Sequence, residues 1–297
     1  MAMHPDQLHI DAATARRLVR QQFPAWADLS VRAMPTAATV NAIFRIGDSL
    51  AARFPLRAGD PTAVREQLER EAAAAREFAA VSPVPAPDPV TIGAPGEGYP
   101  LPWSVQTWLP GQDALADDPA ESYAFADDLV RLLRALRSAD TRGRRFSGSG
   151  RGGHLADHED WMGRCLASSS HLVDVAAVGS LWQELRALPE LDNDVMCHGD
   201  LTPTNVLVGN GRLVGVLDTG GFAPADPALD LVSGWHLLEA GPREAVRHAL
   251  AVPANQWLRG KAWALQQAMG LVWYYESSNP VMSTWGRRTV QRLLADQ

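Results

Sequence analysis

The stretch that most restricts this chain is Val206-Leu-Val-Gly-Asn-Gly-Arg-Leu-Val-Gly-Val-Leu217. Two apolar runs flank Asn210-Gly211, the dipeptide best suited to a type I′ turn, whose two central residues both need positive φ. The segment predicts a β-hairpin with strands over 206–208 and 213–217. Polar residues flank it. Asn205 precedes the first strand, Asp218 follows the second, and Asp200 of His198-Gly199-Asp200 lies five positions before Asn205. A hairpin brings Asp200, Asn205 and Asp218 toward one end. Such hard oxygen donors suit Mg²⁺, which takes one or two carboxylates together with substrate phosphates.

The rest of the chain reads as α+β. Residues 11–22 predict a short helix with Asp11 or Thr14 as its cap and Leu18 and Val19 facing inward. Strands follow over 42–46 and 50–54, joined by Gly47-Asp48-Ser49. The Ala-, Glu- and Arg-rich stretch 62–80 reads as a helix. Ser82-Pro-Val-Pro-Ala-Pro-Asp-Pro89 interrupts it as an extended connector. A strand over 101–109 ends at Pro110-Gly111. Beyond that point helical spacing dominates, over 121–138, 159–169, 175–187 and the tail. The expected division is a small mixed lobe over 1–110, with a hinge near 106–110, and a larger, mainly helical lobe over 111–297.

Composition narrows the function. With 297 residues, 46% of them hydrophobic, the chain is long enough for a sizeable core. A net charge of -7 argues against a nucleic-acid binder, which presents a basic face. No apolar run is long enough to span a membrane. The N-terminus lacks the pattern of a signal peptide. Cys165 and Cys197 are too few for a disulfide framework and are expected to be reduced thiols. The expected setting is the cytoplasm, the expected partner a small hydroxylated molecule, and the expected assembly a monomer or homodimer.

Phosphoryl transfer has a loose transition state, so the protein mainly positions groups and neutralises charge. One carboxylate must face the acceptor hydroxyl, while a second, with an amide, holds metal against the phosphates. His198-Gly-Asp-Leu-Thr-Pro-Thr-Asn205, Asp218 and Asp226-Pro-Ala-Leu-Asp230 together resemble the aminoglycoside phosphotransferase-like kinases, or phosphotransferase enzyme family. The resemblance implies a two-lobed protein kinase-like fold and ATP or GTP with Mg²⁺ as cofactors. It implies that Asp200 is the base that orients and deprotonates an acceptor hydroxyl, that His198 braces the loop, and that Asn205 and Asp218 hold the metal.

The same resemblance assigns the small lobe. Arg53 stands where relatives carry the phosphate-contacting lysine, and Glu71 is its expected helix partner, with Glu69 as rival. The stretch Pro35–Asn41 has no glycine, and the hydroxyls of Thr36 or Thr39, with Asn41, are its expected phosphate contacts. The backbone of Gln106, Thr107, Trp108 and Leu109 is expected to meet the nucleotide base. Arg137 reads as a surface residue. The glycine- and arginine-rich loop 141–157 suits either a mobile lid or a disordered connector. The tail from Leu231 carries four acids against seven basic residues and is rich in tryptophan. That balance argues against a polycationic aminoglycoside and for a less cationic acceptor such as a sugar, a nucleoside-like metabolite or a macrolide-like antibiotic. Two alternatives remain: a nucleotide-binding regulatory protein with a kinase fold, and a protein kinase, which the absence of Asp-Phe-Gly and Ala-Pro-Glu signatures disfavours.

Overall fold

A computed structural model describes residues 8–34, 40–148 and 150–296. They divide into two compact units. The first comprises residues up to Ala80, Pro85–Pro110 and Leu217–Gly221; the second comprises Val81–Val84, Gly111–Val216 and the remainder from Phe222.

The first unit opens with α1 (Ala12–Gln22), capped by the Asp11 carboxylate, which accepts from the Thr14 N–H at 2.7 Å. Strands β1 (Val31–Ala33), β2 (Asn41–Ile46) and β3 (Leu50–Pro55) follow, then α2 (Pro61–Val81), β4 (Pro89–Gly93) and β5 (Trp103–Thr107). They form one antiparallel sheet in the order β1-β2-β3-β5-β4. Tight turning between β2 and β3 uses Gly47 at φ 55, a left-handed conformation that costs glycine nothing. The core is aromatic: Phe54 stacks on Trp103 at 4.7 Å, and Phe44 and Tyr99 meet Phe54 edge-on. Burying one such side chain contributes about 2–3 kcal/mol. Gly93 is required beside this cluster, because a Cβ there would lie 2.2 Å from the Trp103 ring.

Three strands of this sheet differ from the sequence expectation: β1 was not assigned, and β4 and β5 reflect the prolines around them. Strand β4 emerges from the proline-rich connector at the sheet edge, where a proline at the first position costs no ladder bond. Strand β5 is shorter than 101–109, since Pro102 has no N–H to donate.

The second unit carries β6 (Gln112–Asp113), α3 (Tyr123–Ser138), α4 (Glu159–Ser168), α5 (Val175–Leu185), β7 (Val195–Cys197), β8 (Val206–Gly209), β9 (Arg212–Val216) and β10 (Ala223–Ala225). Helices α6 (Ser233–Leu237), α7 (Ala240–Leu250), α8 (Ala254–Tyr274) and α9 (Pro280–Ala295) complete it. The predicted hairpin forms, with Val206 paired to Val216 and both Asn210 and Gly211 at positive φ. Ser122 pins its turn: the hydroxyl caps α3 at the Phe125 N–H and donates to the Gly211 carbonyl at 2.7 Å. Helix α8 is buried along most of its length, from Arg259 through Met269 in particular, as expected of the central helix of a helical layer. Among the described residues, no helix is long and apolar enough to cross a membrane.

Candidate functional site

The loop between β7 and β8 is built on a buried carboxylate. Asp230 accepts the N–H groups of His198 at 2.8 Å and Gly199 at 2.7 Å. Burial raises the Asp230 carboxyl, while the neighbouring His198 ring and the two amides oppose that rise. Gly199 sits at φ 83, where a side chain is disfavoured. Asp226 is a second buried acid, and it ties its own segment to α8. It accepts from Trp263 Nε1 at 3.0 Å, from the Ala228 N–H at 2.8 Å and from the Arg259 guanidinium, itself 2% exposed. The two acids of Asp226-Pro-Ala-Leu-Asp230 thus have separate structural tasks.

Asp200 follows at the tip. His198 is buried, and its Nδ1 accepts the Asp200 N–H at 3.2 Å. Asn205 closes the loop on the single turn Pro203–Asn205, its Nδ2 donating to Asp200 Oδ2 at 2.7 Å and to the Asp200 carbonyl at 2.9 Å. Asp200 Oδ1 accepts from Arg151 Nη2 at 3.0 Å and from Gln267 Nε2. The Asp200 side chain is still 39% exposed, so its carboxylate is reachable. Neither Arg151 nor Gln267 carried a sequence signal for this contact. Cys197 is buried and its thiol is pushed well up by burial, which makes a thiolate nucleophile unfavourable. Arg137, read above as a surface residue, is partly buried, and burial lowers its pKa against the fields of Cys197, Asp230 and Asp226.

In the first unit, Arg53 on β3 reaches Asp218, Nη2 to Oδ1 at 2.6 Å, with Gln106 Oε1 at 3.5 Å from Nη1. Asp218 stands at φ 55, a left-handed conformation that is uncommon outside glycine and is found at functional positions. A cavity of about 370 Å³ is lined by Arg53, Leu68, Glu71, Ser104, Gln106 and Asp218. The expected Arg53–Glu71 pair is replaced: Glu71 accepts from Gln67 at 2.8 Å, and its Cβ packs so close to Gly220 that any side chain at 220 would collide. Glu69 pairs with Arg65 at 3.6 Å. Asn41 opens β2 opposite Pro55, whereas Thr36 and Thr39 lie outside the described residues. The residues expected to meet the nucleotide base are committed in part: the Thr107 N–H donates to the Asp88 carbonyl at 2.9 Å and the Trp108 N–H to the Ser49 carbonyl at 2.7 Å. Gln106 sits in the β5 ladder, and Leu109 follows it.

A second cavity, of about 360 Å³, lies within the second unit between Leu115, Pro203, His236, Val281, Trp285 and Arg288. Pro203 belongs to the Asp200 loop. Among the described residues, no group of three His, Cys, Asp or Glu side chains is arranged to hold a metal.

The profile described as the phosphotransferase enzyme family matches residues 35–264. The chain belongs to this family. An aminoglycoside 3′-phosphotransferase of Escherichia coli is 30% identical over 143 residues, covering 46% of this chain and 52% of that protein. Its namesake in Streptomyces fradiae is 29% identical over 167 residues, covering 52% and 59%. The chain thus spans about half the length of these relatives. The GDP complex of aminoglycoside 2′-phosphotransferase-IIIa superposes with a TM-score of 0.69 over 97% of this chain and 99% of that one, at 16% identity. A macrolide 2′-phosphotransferase of Brachybacterium faecium gives 0.57 over 94% and 97%, at 19% identity. The family members share the α+β, kinase-like fold found here.

Proposed function

We propose that the chain transfers the γ-phosphoryl group of ATP or GTP to a hydroxyl of a small molecule. The observation that carries this reading is the Asp200 carboxylate, held by Asn205 on a loop braced by the buried Asp230, in a member of a phosphotransferase family. In the proposed step the acceptor oxygen forms a bond to the γ-phosphorus, the bridging P–O bond breaks to release the nucleoside diphosphate, and the hydroxyl proton passes to Asp200. Arg53 faces the phosphates of the nucleotide. The family resemblance assigns Mg²⁺ to Asn205 and Asp218, and each by itself offers the hard oxygen this ion takes: the Asn205 amide nitrogen is spent on Asp200, which leaves its carbonyl oxygen as a donor. Bound there, the metal would neutralise charge on the phosphate oxygens.

The acceptor reading follows the second cavity. Leu115, Pro203, Val281 and Trp285 give it an apolar wall, and Arg288 stands at its edge. Such a lining suits a hydroxylated compound with an apolar face better than a polycation. Macrolide- and sugar-like molecules are therefore the leading acceptors. A nucleotide-binding protein without transfer is the second reading, favoured by the ion pair that ties Arg53 to Asp218.

The test is a panel of hydroxylated antibiotics, sugars and nucleosides incubated with Mg²⁺ and ATP or GTP, with mass spectrometry for an added phosphate. Asp200→Asn is expected to lower kcat by about 10²-fold or more and to leave the melting temperature within about 3 °C. A variant with full turnover would remove Asp200 from the role of base. Nucleotide binding with no transfer across the panel would favour the second reading.

A further inference from the structure

We infer that Gln267 and His236 are positioning residues for Asp200, joined with Thr289 in a hydrogen-bonded relay that fixes how the base presents its carboxylate. The inference rests on the phosphotransferase reading for its consequence in catalysis, but its geometry stands by itself. Gln267 lies on α8, His236 on α6 and Thr289 on α9, and all three are buried. Gln267 Nε2 donates to Asp200 Oδ1. Gln267 Oε1 lies 3.1 Å from His236 Nε2, and His236 Nδ1 lies 3.2 Å from Thr289 Oγ1.

The direction of each bond follows from chemistry. A carboxylate only accepts, so the Gln267 amide must turn its NH₂ toward Asp200 and its oxygen toward His236. That oxygen in turn requires a proton on His236 Nε2. Burial, with the charges of Arg151 and Arg292 nearby, pushes His236 down to about 3, so the ring is neutral and Nδ1 carries no proton. The Thr289 hydroxyl then donates to Nδ1. Reversing the amide would set its oxygen against the Asp200 carboxylate, a contact that neither tautomer of His236 could repair. The relay therefore holds one orientation.

What this adds at Asp200 is a fixed donor. Asp200 Oδ1 has two: Arg151, from the glycine-rich loop, and Gln267, from a buried helix. Gln267, anchored across three helices, sets the plane of the carboxylate together with Asn205 on Oδ2. His236 also lines the apolar cavity on its other side. The ring that orients the base through Gln267 is thus part of the wall proposed to receive the acceptor.

The test compares the full chain with Gln267→Met, His236→Phe and Thr289→Val. Mg²⁺-dependent ATP turnover is measured with water and with any acceptor found in the panel, and side-chain NMR follows the Gln267 amide and the His236 ring nitrogens. Misplacing a reacting group costs on the order of 10²-fold. Gln267→Met and His236→Phe are expected to lower kcat by roughly ten- to a hundredfold with the KM for ATP within about twofold, and Thr289→Val by less. In the unaltered chain His236 should show a protonated Nε2 and bare Nδ1, and the Gln267 NH₂ should exchange slowly, faster once His236 is replaced. If His236→Phe does not fold, Gln267→Met and Thr289→Val decide the same point. Unchanged kcat in Gln267→Met, or a Gln267 amide exchanging like a solvent-exposed one, would overturn the relay. Absence of ATP turnover in the unaltered chain, with the amide protected as described, would instead retain the relay and sink the phosphotransfer reading.

Discussion

Arg53 illustrates what a single residue's position in sequence discloses. Its place on the third strand of the first unit was legible through the family resemblance, once 50–54 read as the strand after the Gly47-Asp48-Ser49 turn. Its partner was not. The resemblance offered Glu71 or Glu69, yet α2 spends Glu71 on Gln67 and Glu69 on Arg65, and the guanidinium goes to Asp218, 165 positions away. No local pattern encodes a contact that distant. A functional difference follows. Hydrogen bonds to charged groups are each worth about 1.5–3 kcal/mol. Arg53→Met is therefore expected to weaken binding of ADP with Mg²⁺ by about tenfold or more, while Glu71→Gln changes it by less than about threefold. Titration calorimetry on both variants checks this, and a larger loss in Glu71→Gln would restore the helix acid as the phosphate-site partner.

At the scale of elements, the long helices and the two tight hairpins were readable, since apolar spacing and turn chemistry are local. Strands β1, β7 and β10 were not assigned as strands: each has three residues, too few for alternation to register, and each is a strand only because a partner pairs with it. Helix α3 shows how elements then lock together. Asp128, buried on its inner face, accepts Arg212 Nε and Nη2 at 2.5 Å each and the Leu213 N–H at 3.2 Å, clamping the start of β9. Burial opposes ionisation of Asp128, but Arg212, the Leu213 amide and Arg131 outweigh it and hold the carboxyl below its ordinary value. A depressed folded value stabilises the protein above the ordinary carboxylate pKa of about 3.9, and that contribution is lost as pH falls through the folded value. Asp128→Asn is expected to cost about 2 kcal/mol at pH 7, with the gap from the unaltered chain closing below about pH 4. Denaturant unfolding at several pH values measures it. A gap independent of pH would show that packing, not charge, is what Asp128 supplies.

On the scale of the whole molecule, the change of character at Pro110-Gly111 was visible in composition. The return of Leu217–Gly221 to the first unit was not, because it depends on Gly220 packing against Glu71. Charge is distributed just as unevenly. The chain carries -7 overall, yet from Leu231 onward basic residues outnumber acids, and Arg288 and Arg292 stand beside the apolar cavity. Both arginines are paired, Arg288 with Asp118 and Glu239 and Arg292 with Glu239, so this edge offers little free negative charge to a polycation. An acceptor held there gains mainly from burying apolar surface, which salt does not screen, whereas a polycation held by carboxylates loses affinity as the Debye length shortens from about 10 Å at 0.1 M toward about 3 Å at 1 M. With a macrolide-like acceptor, KM is therefore expected to move by less than about twofold between 0.05 and 0.5 M salt, and kcat/KM for kanamycin to fall at least about tenfold below it at 0.15 M. Steady-state kinetics on the two acceptors tests the point. A KM that rises steeply with salt, together with preference for kanamycin, would place the acceptor against acidic side chains rather than against Leu115, Val281 and Trp285.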